Sequence, residues 1–174
     1  MKPINTRKLA VQSLFAAAMA VCAWISVPLG EISFTMQSFA LFLALFTLGG
    51  KSGVISFGVY LAVGAVGLPV FSGFQGGLGV LLGATGGYLW GFALAAILYW
   101  LMTHIFGERA QVPAAVLGMI LCYSCGTLWY LYAYAGQTAW WAVAAKCVLP
   151  YLLPDALKIW LAAWLAQRLK RTIF

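Results

Sequence analysis

ATGGYLWGFALAAILYWLMTHIF, residues 84–106, runs without a single Asp, Glu, Lys or Arg. A helix needs roughly 20 apolar residues to cross the hydrocarbon core of a bilayer, so this stretch is long enough by itself. Comparable runs fall at about 9–28, 34–50, 53–71, 112–134 and 140–167, separated by glycine, proline or charge. Hydrophobic residues make up 64% of the chain, charged residues 7%, and the mean hydropathy is +0.98. A soluble domain carries about 25% charged residues, so thirteen charges in 174 positions exclude a soluble globule. The expectation is an all-α integral membrane protein: a compact bundle of six transmembrane helices in one domain, residues 1–174.

The first apolar run comes after Lys2, Arg7 and Lys8, and Ala20-Val21-Cys22 resembles a lipoprotein cleavage site. Beyond it the chain continues as further apolar runs rather than a secreted domain, which favours an uncleaved first helix. Lys2, Arg7 and Lys8 before the first span, Lys51 after the second, Arg109 after the fourth and Arg168, Lys170 and Arg171 after the sixth share one side. The opposite loops, around 29–33, 72–83 and 135–139, contain no Lys or Arg. The positive-inside rule then puts both termini in the cytoplasm. The net charge of +7 reflects topology, and nucleic acid is not an expected partner.

Three ionisable residues remain: Lys146, Asp155 and Lys158. If Arg168 marks the cytoplasmic boundary, Lys158 lies about 15 Å and Asp155 about 20 Å above it, near the midplane. Lys146 is about 33 Å up, where snorkelling to outer headgroups explains it. The other two have no such escape, and a charge at a helix centre costs about 2.5–3.5 kcal/mol on insertion scales. Three residues apart, they share one helix face. An ion pair is no better than apolar packing for stability, so the pair points to a polar binding site. An aspartate accepts from N–H groups and a lysine donates to oxygen, which suits a small molecule displaying both donors and acceptors.

Other features read more plainly. Cys122-x-x-Cys125 has no second pair, and His104 is the only histidine, so the cysteines are small packed residues and no metal site is expected. Tyr88, Trp90, Tyr123, Trp129, Trp140, Trp141 and Tyr151 are mostly interfacial anchors or packing, with a few free to sandwich a flat ligand. Ala16-x-x-x-Ala20 in the first span and Gly83, Gly87 and Gly91 near the fourth are small faces that let helices approach closely. GGLGVLLGATGG, residues 76–87, resembles a phosphate cradle. Yet it sits between two apolar spans without a preceding strand or βαβ unit, the next acidic residue is Glu108, and it lacks the lysine of a P-loop. Glycine also permits close backbone approach to a ligand, and irregular backbone at membrane depth is tolerated where it lines a cavity. The loop, with Thr85, is expected to fold over a pocket facing Asp155 and Lys158.

ISVPLGEISFTMQSF (25–39), VGLPVFSGFQGGLGVLLGATGGYLWGF (66–92) and VLPYLLPDALK (148–158) together resemble BioY, the biotin-specific S-component family of energy-coupling factor (ECF) importers. The resemblance spans nearly the whole chain. It implies biotin captured from outside, under the loop joining helices one and two, with no cofactor. It also implies docking through small residues of helix one, here Ala16 and Ala20, on a transmembrane coupling T-component served by two cytoplasmic ATPases. Asp155 and Lys158 match the last-helix pair that contacts biotin in the family. The ureido ring and the valerate carboxylate both remain open as the partner of Lys158. Gln37, Gln75, Gly77, Gly83, Thr85, Gly86, Tyr88 and Trp129 complete the expected binding set. The alternatives are an S-component for another vitamin or a structural membrane protein. An enzyme would need a nucleophile with its base, or a metal cage, which one His and so few carboxylates do not supply.

Overall fold

A computed structural model of the chain describes residues 6–28, 33–134, 136 and 140–173. The chain runs α1 (Thr6–Trp24), β1 (Ser26–Pro28), β2 (Ser33–Thr35), α2 (Gln37–Leu48), α3 (Gly50–Ala65), α4 (Leu78–Leu82), α5 (Gly86–Phe106), α6 (Gln111–Ala133), α7 (Trp140–Cys147) and α8 (Leu149–Ile173). Among the described residues six helices have twelve residues or more, and they form one bundle. The two short strands pair antiparallel, Val27 opposite Phe34, as a hairpin between α1 and α2. Lys2 and Glu31 lie outside the described residues.

Among the described residues three helical segments are long and apolar enough to cross a membrane by themselves: Gly86–Phe106, Glu108–Ala133 and Trp141–Thr172. The expected spans at 34–50 and 53–71 are helical for only twelve and sixteen residues, as α2 and α3. The remainder of each passage is extended or looped, at the end where the hairpin lies. Such backbone survives at membrane depth only when buried in protein or lining a cavity, and here it lines one. The last span is also divided, with α7 and α8 meeting at Val148.

Lipid and core faces separate cleanly. Leu14, Ile105, Phe106, Leu128, Leu153 and Trp160 are each more than 60% exposed, an apolar belt suited to acyl chains. Inside, Met19, Leu41, Phe42, Leu45, Phe57 and Tyr60 are almost wholly buried. The tightest pair is α5 on α6, where the glycine face anticipated for the fourth span is used. A Cβ on Gly91 would come 2.9 Å from the Cys122 Cα, and one on Gly87 2.3 Å from the Trp129 Cβ. Larger residues at either position would force the two backbones apart. Gly83 precedes α5 and takes no part in this face.

The small face of α1 is packed along its inner edge. Ala16 and Ala20 are only 8% and 7% exposed and turn inward with Phe15, Met19 and Ala23. They serve close approach of α1 to α2 and α3. Ser13 and Ala17, which share the i, i+3, i+4, i+7 stripe with them, are exposed, as is Ala10 one turn before Ser13, so the stripe runs from the core to the surface. Spacing of four fixes which residues share a helix face, but not which way that face looks.

The two ends of the bundle differ. At one end Lys170 on α8 lies 4.0 Å from Glu108 in the α5–α6 turn, and Gly49, at φ 80°, reverses the chain between α2 and α3. At the other, long side chains tie loops to helices. Trp24 Nε1 donates to the Pro69 carbonyl at 2.8 Å, and Tyr134 Oη to the Leu82 carbonyl at 2.8 Å. The hairpin and the segment from Pro69 to Thr85 thus roof the bundle.

Candidate binding site

Beneath that roof is a cavity of about 440 Å³, within the roughly 300–1,000 Å³ typical of small-molecule sites. Its apolar wall includes Phe71, Leu89, Phe92 and Met119. Its polar end is built on α8. Asp155 and Lys158 are 5% and 4% exposed, one turn apart on the inward face, with Nζ 2.8 Å from Oδ1. Pro154 has no N–H to donate to the preceding turn, which loosens the helix beside the pair.

Three other elements complete the polar end. Ser38, in the first turn of α2, donates from Oγ to Asp155 Oδ1 at 3.0 Å. Tyr123 of α6 donates from Oη to Asp155 Oδ2 at 2.5 Å. Lys158 Nζ donates to the Thr35 carbonyl at 2.6 Å and to Ser38 Oγ at 3.3 Å, and it sits 3.6 Å from the centre of the Phe34 ring. Phe34 in turn stacks on Tyr151, ring centres 6.2 Å apart. The lysine therefore fastens the hairpin to α8 as well as neutralising the aspartate. Truncating one member of such a buried pair typically costs about 3–5 kcal/mol, because the other is left uncompensated.

Of the residues expected at the site, Gln37, Gln75, Thr85, Tyr88, Asp155 and Lys158 line the cavity. Gly77, Gly83, Gly86 and Trp129 do not. Gly77, at φ 92°, begins α4 and donates its N–H to the Gly64 carbonyl at 2.7 Å. A Cβ on Gly86 would lie 2.1 Å from the Leu81 carbonyl oxygen. Trp129 Nε1 donates to the Gly83 carbonyl at 3.1 Å, and Gly83 borders a shallow groove on another face of the loop. These four shape and brace the roof. The glycine-rich stretch is a wall of the cavity chiefly through Gln75, Val80 and Thr85.

Sequence reasoning missed Ser38 and the backbone carbonyl of Thr35, which carry no signal in an apolar run. Tyr123 stood out only as one aromatic among many. Cys122 and Cys147 line the cavity and form no disulfide, with Cys122 Sγ donating to the Tyr88 carbonyl at 3.5 Å. Among the described residues no cluster of three or more metal-ligating side chains occurs. Lys146 is exposed on α7 and is not part of the lining.

The chain matches the BioY family model over residues 1–174. It is 37% identical over 166 residues to the biotin transporter BioY of Thermotoga maritima, covering 95% of this chain and 96% of that one. It is 33% identical over 167 residues to a probable biotin transporter BioY of Pyrococcus horikoshii, covering 96% and 98%. Its fold superimposes on the crystal structure of an S-component for biotin from an ECF-type ABC transporter with a TM-score of 0.88. That likeness covers 98% of this chain and 94% of the other at 22% identity.

Proposed function

The chain belongs to the BioY family, and on that premise we propose that it is the high-affinity biotin-binding S-component of an ECF-type vitamin importer. It is a transport subunit rather than an enzyme. The observation that carries the reading is the Asp155–Lys158 pair, the one buried ion pair among the described residues, set at the end of a cavity in a chain nearly stripped of internal charge. Retaining such a pair is expensive in a bilayer, and a bound ligand is what justifies it. Biotin fits by chemistry. Its ureido ring offers two N–H donors and a carbonyl to the polar end, and its bicyclic and aliphatic parts suit the wall of Phe71, Phe92 and Met119.

The Lys and Arg distribution supports six passages with both termini in the cytoplasm of a prokaryote, which opens the cavity to the outside. The glycine-rich stretch lacks the lysine of a P-loop, and the family reading assigns the work of import to partners: a transmembrane T-component and two cytoplasmic ATPases. Along the small stripe Ser13, Ala16, Ala17 and Ala20, the inner residues Ala16 and Ala20 are engaged internally, and Ser13 and Ala17 are the exposed edge that lets a coupling helix approach closely. Ala17→Trp is expected to abolish coupled uptake while leaving biotin affinity intact. Ala20→Trp, overpacking the core, is expected to lower thermal stability and binding together. The reverse pattern would restore Ala20 to the docking face.

Titration of the purified chain with biotin, beside thiamine and riboflavin, tests the assignment. Nanomolar-range binding of biotin alone is expected. Equal affinity for the three vitamins, or none for biotin, would overturn it.

A further inference from the structure

The hydrogen bonds at the cavity separate a ring-reading end from a tail end. An ammonium has three N–H donors. Those of Lys158 are all engaged, by Asp155 Oδ1, the Thr35 carbonyl and Ser38 Oγ. No proton is left for a ligand carboxylate. A carboxylate offers about four acceptor positions. Asp155 Oδ1 accepts from Lys158 and Ser38, and Oδ2 accepts from Tyr123, which leaves one position on Oδ2. Beside Ser38 in the first turn of α2, Gln37 lines the same cavity, and its Nε2 is buried without a hydrogen-bond partner among the described residues. A buried donor in that state is costly unless a ligand satisfies it. One vacant acceptor and one vacant donor match one edge of a cyclic urea: a ring N–H to Asp155 Oδ2, and the ring carbonyl to Gln37 Nε2.

The rest of the lining is neutral. Its polar members away from this end include Ser26, Ser33, Ser72 and Gln75, and among the described residues Asp155 and Lys158 are the only charged ones that line the cavity. An ionised tail acid therefore meets no counter-charge, and an uncompensated carboxylate must stay close to water. That places it at the mouth, between the hairpin and the Ser72–Gln75 segment.

We propose that this cavity reads the ureido ring and not the tail charge, so that biotin carboxamides, including biotinyl-lysine, are ligands alongside free biotin. The proposal rests on the biotin-binding reading of the site. A neutral tail gives up no ion pair, and without a charge-assisted contact there is little to discriminate acid from amide. Proteolysis of a biotinylated protein is the class of reaction that supplies such an amide.

Calorimetric titration of the full chain with biotin, biotinamide, biotinyl-lysine and 2-thiobiotin tests this without altering the protein. Both amides are expected within about tenfold of biotin, since no charge-assisted bond is lost. The 2-thio compound, whose sulfur is a poor acceptor, is expected to bind more than about tenfold weaker because Gln37 is left unpaired. In Gln37→Leu that gap is expected to close. Amides weaker than biotin by more than about tenfold would overturn the proposal and leave biotin binding intact. A 2-thio compound binding as well as biotin would overturn the ring-reading half. Absence of biotin binding would remove the premise itself.

Discussion

Helix α8 carries two ion pairs of the same chemical type in opposite surroundings. Lys158 and Asp155 lie 2.8 Å apart with side chains 5% and 7% exposed. Twelve residues on, Lys170 and Glu108 lie 4.0 Å apart with side chains 36% and 89% exposed. The outer pair sits among water and headgroups, where such contacts contribute roughly 0–1 kcal/mol and are screened by salt. The inner pair is desolvated, and its attraction must first offset a penalty of several kcal/mol per ion. It does so only with help from Ser38, Tyr123 and the Thr35 carbonyl, drawn from three other elements. One pair decorates a helix end. The other organises a site.

The comparison can be broken most severely by making the inner pair apolar. In Asp155→Leu with Lys158→Met, biotin binding should be lost, more than about a hundredfold, while thermal stability is retained or raised, as for other buried pairs exchanged for hydrophobes. A double variant that unfolded would make the pair structural instead. Lys158→Ala alone should lose binding and also stability, by about 3–5 kcal/mol, because Asp155 is stranded. A detergent melt beside a binding isotherm separates these two variants. Tyr123→Phe removes one hydrogen bond to a charged acceptor, a loss of about 1.5–3 kcal/mol, or roughly 10–100-fold if it is felt in affinity. Lys170→Ala should change neither quantity beyond about 0.5 kcal/mol. A large effect there would mean the outer pair does more than its exposure allows.

Legibility in the sequence divides along the same line. Charges in the wrong solvent are conspicuous, so Asp155 and Lys158 stand out from composition and spacing alone. Their partners do not, because a serine in an apolar helix and a backbone carbonyl in a hairpin look like their neighbours. The bundle was readable from its apolar runs. The shortening of α2 and α3 was not, since VGLPVF after α3 is as apolar as the helix before it. Only its role as a cavity wall separates loop from span. Ala16 and Ala20 were legible as a small face but not as an inward one. Gly77 and Gly86 were legible as part of the glycine-rich loop and Trp129 as one aromatic of the expected binding set, but contact with the cavity and support of the loop leave the same mark in sequence.

The central claim is that the inner pair exists for the ligand. Asp155→Asn keeps the shape and the oxygen that faces Lys158 while removing the charge, so a biotin isotherm on this variant, matched to its melting temperature, tests the claim most directly. Affinity falling by more than about tenfold, as expected when the oxygen offered to the ring N–H and to Tyr123 is replaced by an amide NH2, is the predicted result. Unchanged biotin affinity in a folded Asp155→Asn protein would contradict it.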